Sequence, residues 1–439
     1  MITLLLGAGF AAVGEAAMRR RSRRLQSWNE SFLAGTGICA AVLLPLSLLF
    51  PRRALQAELG LIGLAVVLTL VRHLRRPTEA AAPAAAPRQG PVSRILVAAI
   101  VIVAAAFVAI DLRYNLGWDG FQIWASKAQL LFYRGALTTS WYPGDTYELR
   151  HVTYPFGVPL YETLLSVVRG AFDFDALKPV FLPFYFSLLI ATYGAARAVV
   201  SERLALVATL IVALIPELST GPAAGGLADM PQAAFVAGVA GAALRREDGD
   251  ALPWLIGGLT TVKSEGTILA LAACAAVILS RMLEPARRRR LWRAVPWSGV
   301  AIVGAFLMLR LALLRWAAVP DAVYILDRAH LGDAFGRIPR VARLCLVKAL
   351  SPRRWGLFWP AFAAFGAALI ARGSAREKSL ALATAAAAVV LAAVFLFSTW
   401  PLEVHIDQAY PRLLAQLSPA AAVAIAAGYD LASGASVKS

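Results

Sequence analysis

The stretch Trp118-Asp119-Gly120-Phe121-Gln122-Ile123-Trp124-Ala125-Ser126-Lys127-Ala128 begins a few residues after an uninterrupted apolar run, Ile95 to Ile110. An acid flanked by two tryptophans where a membrane helix leaves the bilayer sits at the level of a lipid headgroup, a position suited to chemistry on lipid-linked substrates. Phe121, Trp124, Ala125, Ala128 and Leu131 recur at helical spacing, so Asp119 falls at or near the N-terminus of an interfacial helix. A carboxylate there is held ionised by the helix dipole. The competing reading makes Asp119 only an N-cap and the tryptophans only membrane anchors.

Three further clusters carry reactive side chains. His151-Val152-Thr153-Tyr154-Pro155-Phe156-Gly157-Val158-Pro159 returns the chain toward the bilayer, and its prolines and glycine fix an extended turn that puts His151 and Tyr154 near the same interface. In Gly225-Gly226-Leu227-Ala228-Asp229-Met230-Pro231, the proline suits a first helical turn, and capping alone accounts for Asp229. Thr261-Val262-Lys263-Ser264-Glu265-Gly266 interrupts an otherwise apolar stretch from Leu252 to Leu283. Charges at membrane depth are costly and usually face a cavity or a partner, so two short helices meeting at this break would place Lys263 and Glu265 at the outer surface, either in a site or as a mutual ion pair. Glu403, His405, Asp407, Tyr410 and Arg412 fall in an expected last outer loop, where Arg412 either meets a phosphate or marks the interface.

The elements that must position these residues are membrane helices. Of 439 residues 59% are hydrophobic and only 16% charged, and apolar runs repeatedly approach the roughly 20 residues of a bilayer span. Lys and Arg number 43 against 26 Asp and Glu, a formal charge of +17. Most of the arginines cluster between apolar runs, which fits orientation and anionic lipid and excludes a nucleic-acid partner. The three cysteines lie as Cys39 and Cys274 within expected spans and Cys345 alone outside, so no disulfide framework is available.

The pattern predicts an all-α polytopic membrane protein of about thirteen transmembrane helices, with interfacial helices in the first large outer loop. Residues 1–76 form a three-span extension, 77–94 a cytoplasmic Ala/Pro-rich linker, and 95–439 the core, with outer loops at 111–175 and 320–356. The inside loops are rich in Arg as expected, but Arg337, Arg340 and Arg343 to Arg354 fall outside. Outward cations of this kind attract anionic headgroups by roughly 1 kcal/mol each, which makes Arg337 and Arg340 candidate phosphate ligands.

Taken in order, Trp-Asp-Gly-Phe-Gln-Ile-Trp-Ala-Ser-Lys-Ala, Tyr-Pro-Phe-Gly-Val-Pro, Ala-Asp-Met-Pro, Val-Lys-Ser-Glu-Gly and Tyr-Pro-Arg-Leu-Leu resemble the GT-C superfamily of integral-membrane glycosyltransferases. The likeness runs from about Ile95 to Tyr429. It points to bacterial members of the group that holds protein O-mannosyltransferases and lipid A aminoarabinose transferases. Gly120 follows Asp119 where eukaryotic protein mannosyltransferases carry an adjacent Asp-Glu pair, which argues for a lipid or glycan acceptor over a protein.

What the resemblance implies is an enzyme of the bacterial inner membrane, its active site facing the periplasm or cell exterior, that takes a hexosyl or pentosyl group from a polyprenyl-phosphate donor. It implies inversion, with Asp119 as general base. Lys263, Arg412, Arg337 and Arg340 become candidates for the donor phosphate, and Trp118, Lys127, His151, Tyr154, Asp229 and Glu265 for orienting substrate. No cofactor is expected. A divalent metal near His151, Asp229 and Glu265 is chemically admissible, but the spacing has no diagnostic ligand pattern, and a lysine plus an arginine can replace a metal as the phosphate clamp. The alternative is a lipid-linked-sugar flippase or solute transporter with Asp119, Lys263 and Glu265 along its pathway, although the break at Lys263 has no twin elsewhere.

Overall fold

The computed structural model describes residues 1–18, 25–75, 90–137, 151, 153–221, 223–245, 250–284, 297–317 and 328–434. Helices carry nearly all of it. In chain order they are α1 Ile2–Met18, α2 Leu25–Leu49, α3 Ala54–Arg75, α4 Pro91–Asp111, α5 Ser126–Arg134, α6 Gly157–Arg169, α7 Phe181–Arg197 and α8 Glu202–Ala213. There follow α9 Asp229–Leu244, α10 Ala251–Leu259, α11 Glu265–Leu283, α12 Trp297–Ala317, α13 Arg328–Ala349, α14 Phe358–Arg372, α15 Ala375–Ala393 and α16 Leu402–Ala432.

Among the described residues, 8 helices are long and apolar enough to cross a membrane, and α1 and α14 are shorter apolar helices. The chain is an all-α polytopic membrane protein. Three expected spans, 204–215, 231–244 and 252–261, are the short helices α8, α9 and α10. Of these α9 is buried along almost its whole length. Its Ala- and Gly-rich sequence lets neighbours approach from every side.

Two expected loops are helical instead. Most of 320–356 is α13, where Ala334, Val341 and Cys345 share one buried face. Dense arginines on the remaining faces hide that period in the sequence. Glu403, His405, Asp407, Tyr410 and Arg412, expected in a loop, all lie on α16, which contains Pro411 and Pro419. Proline inside a helix leaves the carbonyl four residues back without its partner. For Pro419 that carbonyl belongs to Ala415, and the Ser418 hydroxyl donates to it at 2.7 Å.

The N-terminal spans pack onto the core rather than standing apart from it. A Cβ on Gly35 would lie 1.7 Å from the Phe10 carbonyl oxygen, so α1 and α2 touch backbone to backbone. Tyr161 on α6 donates to the Thr3 carbonyl at 2.7 Å, and Glu30 on α2 pairs with Arg245 at the end of α9. Most of the expected linker 77–94 lies outside the described residues, and Pro91 to Arg94 already belong to α4. The clusters Arg19 to Arg24 and Arg287 to Arg290 also lie outside them.

Candidate active site

Asp119 is placed by glycine contacts. The Gly117 amide donates to the Gly225 carbonyl at 2.9 Å, and a Cβ on Gly120 would sit 2.1 Å from that same oxygen. Only glycine permits so close an approach. The chain then winds through a wide π-helical stretch, Gly120–Ala125, where the Ser126 amide reaches back to the Phe121 carbonyl, before tightening into α5. Such stretches recur at functional sites. The Asp119 carboxylate makes no cap hydrogen bond. It accepts from Arg412 Nη1 on α16 at 2.7 Å instead, so the capping reading fails.

Asp229 likewise caps nothing, although it opens α9. Its Oδ1 accepts from Lys263 Nζ at 2.9 Å and Gln416 Nε2 at 2.7 Å, and its Oδ2 from Arg412 Nε at 3.0 Å. Burial works to raise its pKa, but the nearby charges of Arg412 and Lys263 outweigh that and hold the carboxyl well below the usual carboxylate range. Burial disfavours the charged form of Lys263, and Asp229 and Glu265 more than compensate, leaving the amine above its ordinary value. Lys263 Nζ stands 3.3 Å from Glu265.

Lys263 owes its position to the expected interruption between α10 and α11. There the Thr260 and Thr261 hydroxyls donate to the Gly257 and Gly258 carbonyls, closing off α10. The Gly157 amide donates to the Thr261 carbonyl at 2.8 Å, tying the Tyr154-to-Pro159 loop to this break. Arg310, in mid-span on α12, reaches the same place and donates to Ser264 Oγ at 3.1 Å and the Thr153 carbonyl at 2.5 Å.

Five distant segments thus bring three carboxylates, Asp119, Asp229 and Glu265, against three cations, Lys263, Arg310 and Arg412. The charges balance, so an arriving anion must displace a carboxylate from a cation. The Asp229 side chain is 1% exposed and is fixed, whereas Asp119 is 26% exposed and can exchange.

Other expected residues take different roles. Lys127 is fully buried and donates to the His151 carbonyl at 2.6 Å and the Tyr154 carbonyl at 3.2 Å. Trp124, Tyr154 and Phe156 each place a ring centroid within 6 Å of its ammonium. It holds the loop and does not face a ligand. His151 stacks on Tyr154 at 4.6 Å, with backbone in the left-handed region at φ 46°. Trp118 is 58% exposed beside Asp119.

Arg337 and Arg340 are not brought to this cluster. Arg337 donates to the Ser398 carbonyl, and Arg340 pairs with Glu403, nine residues before Arg412 and about 14 Å along α16. Arg310 and Gln416 are absent from the candidates that the sequence suggests. The signal for Arg310 was a lone arginine in an apolar span. Gln416 carried none.

One shell further out, Lys178 lies 3.1 Å from Asp111, both buried, and also donates to the Ala224 carbonyl beside Gly225. Among the described residues no three His, Cys, Asp or Glu side chains are grouped as a metal site would require.

No family model matches the chain, and no curated protein matches it. Among solved structures, the crystal structure of ArnT from Cupriavidus metallidurans in the apo state is similar, with a TM-score of 0.49 and 17% identity. The match covers 77% of this chain and 59% of that one, so this chain spans less than two thirds of ArnT's length.

Proposed function

We propose that this protein is a GT-C-type membrane glycosyltransferase that moves a sugar from a polyprenyl-phosphate carrier to an acceptor hydroxyl at the outer face of the bacterial inner membrane. The observation that carries the reading is the convergence of Asp119, Asp229, Lys263 and Arg412, from four segments far apart in sequence, at one place in an apolar bundle. Buried charges in a membrane protein are retained for function more often than for stability. The ordered motifs that resemble the GT-C superfamily point the same way, and the absence of an acidic neighbour to Asp119 favours a lipid or glycan acceptor.

The chemistry assigned to each group follows from its surroundings. Asp119 Oδ2 takes the acceptor proton as the hydroxyl oxygen attacks the anomeric carbon. The bond from that carbon to the phosphate oxygen breaks on the opposite face, which inverts the centre. The electron pair leaves with the carrier phosphate, whose growing charge is met by Arg412 and Lys263. Cations poised for charge that develops in the transition state lower the barrier more than they tighten ground-state binding. Asp229 and Gln416 keep the clamp in register. Phosphate arrival draws Arg412 away from Asp119, which frees the base as the donor docks.

The deciding experiment is sugar transfer by the full chain in liposomes holding a polyprenyl-phosphate sugar, comparing wild type with Asp119→Asn. The expected fall in turnover is about 10²-fold or more, with donor binding retained. Turnover near wild type rejects the base assignment. Donor movement between leaflets without transfer would instead make the protein a flippase.

A further inference from the structure

A cavity of about 350 Å³ opens between α9, α10, α11, α15 and α16, away from the balanced charges of Asp119 and Asp229. Its walls are apolar, formed by Val236, Ala240, Ala273, Ala276, Ala383 and Ala387 among others. The hydroxyls that border it are spent on their own helices: Ser280 donates to the Val277 carbonyl, Ser379 to that of Ala375 and Thr384 to that of Leu380. Nothing along the walls asks for water or a polar ligand.

One end differs. Arg245 at the foot of α9, Arg281 near the end of α11 and Arg376 at the start of α15 all line it. The opposite end reaches Leu269, one turn beyond Glu265, and Leu417, next to Gln416. The arginines therefore mark the end of the bundle remote from the candidate active site.

Along α11 the lining runs from Leu269 to Arg281, which at 1.5 Å per residue is about 18 Å. One leaflet of a bilayer contributes about 15 Å of hydrocarbon. A hydrocarbon-lined slot of single-leaflet length, with guanidiniums at its mouth, is complementary to one lipid molecule.

We infer that this cavity binds an acyl chain of an anionic glycerophospholipid from the leaflet opposite the charged cluster, its phosphate held by Arg245, Arg281 and Arg376. Arg376 already donates to the Leu244 and Arg245 carbonyls through a single nitrogen, which fixes its guanidinium while other donors point elsewhere. Arg245 is braced by Glu30 on α2, so the N-terminal spans help to build the mouth. The tail of the polyprenyl donor is the weaker candidate. Entering from the Leu417 end, it would bring a methyl terminus to three cations, which at membrane depth call for an anion.

The site is tested by native mass spectrometry and thermal melting of the detergent-purified full chain, with phosphatidylglycerol and phosphatidylcholine as probes. Neither readout depends on transfer activity. Wild type is expected to retain one phosphatidylglycerol in preference to phosphatidylcholine and to melt higher when it is added. Arg281→Gln with Arg376→Gln should weaken that preference by about fivefold per arginine. Ala383→Trp, which fills the slot, should abolish it, whereas Ala385→Trp on an exposed face of the same helix should not. Equal retention of both lipids, or retention unchanged in the arginine variants, overturns the inference. So does loss of undecaprenyl phosphate binding in Ala383→Trp with phosphatidylglycerol still bound, since the slot would then hold the carrier tail.

Discussion

At the scale of single residues, Arg412 is the hinge of the site, because one guanidinium spans the exchangeable Asp119 and the fixed Asp229. Removing Asp229 should therefore cost more than removing Asp119. Asp229→Asn leaves Lys263 and Arg412 with too little buried counter-charge, a change that typically costs about 3–5 kcal/mol. A fall in melting temperature much larger than that of Asp119→Asn is expected.

The pH dependence follows from the directions of the two shifts. The depressed Asp229 contributes stability above its unfolded value, and this is lost only as pH drops through the lower folded value. The raised Lys263 contributes below its unfolded value, and this is lost as pH climbs through the higher folded one. The melting-temperature gap between wild type and Asp229→Asn should stay flat from about pH 5 to pH 9, between the two unfolded values. A gap that closes between pH 7 and pH 5 would show that Asp229 takes up a proton there, contrary to its pairing.

At the scale of elements, the site rests on irregular backbone between helices: the Gly225 turn, the Lys263 break and the π-helical start of the Asp119 helix. Gly120→Ala puts a methyl group against the Gly225 carbonyl, a backbone atom that cannot rotate aside. Transfer should fall steeply while helical content by circular dichroism stays unchanged; full activity would mean that this contact does not place Asp119. Lys178→Met tests the support behind the same turn, since the methionine keeps the bulk and drops the bonds to Asp111 and the Ala224 carbonyl. It leaves Asp111 buried without its cation, so a loss of stability of a few kcal/mol should accompany any loss of turnover.

The Lys263 break was legible in the sequence, because a lysine and a glutamate within an apolar stretch demand a local exit from the helix. The helical state of Glu403 to Arg412 was not. Pro411 and Pro419 read locally as helix breakers, and only packing of α16 against its neighbours, with Ser418 meeting the freed carbonyl, makes a single long helix there.

At the scale of the whole molecule, the orientation proposed here places Trp118 outside and Ser374 inside. Single cysteines at these positions, in a background with Cys39, Cys274 and Cys345 replaced, should be labelled by a membrane-impermeant maleimide in intact cells at Trp118 and not at Ser374. The reverse pattern would put the candidate active site in the cytosol.

The sequence by itself determined that this is a helical membrane protein and where charge is forced into its apolar runs, since burial in lipid leaves a helix little alternative and makes every ionisable residue conspicuous. It also singled out Asp119, Asp229, Lys263 and Arg412 as residues worth suspicion. Only the tertiary structure decided that these four touch, that Arg310 and Gln416 join them, and that Lys127, Arg337 and Arg340 serve other places. The reason is physical: hydropathy and local spacing fix what each segment is, whereas which side chains meet depends on how helices remote in sequence rotate and cross as they pack.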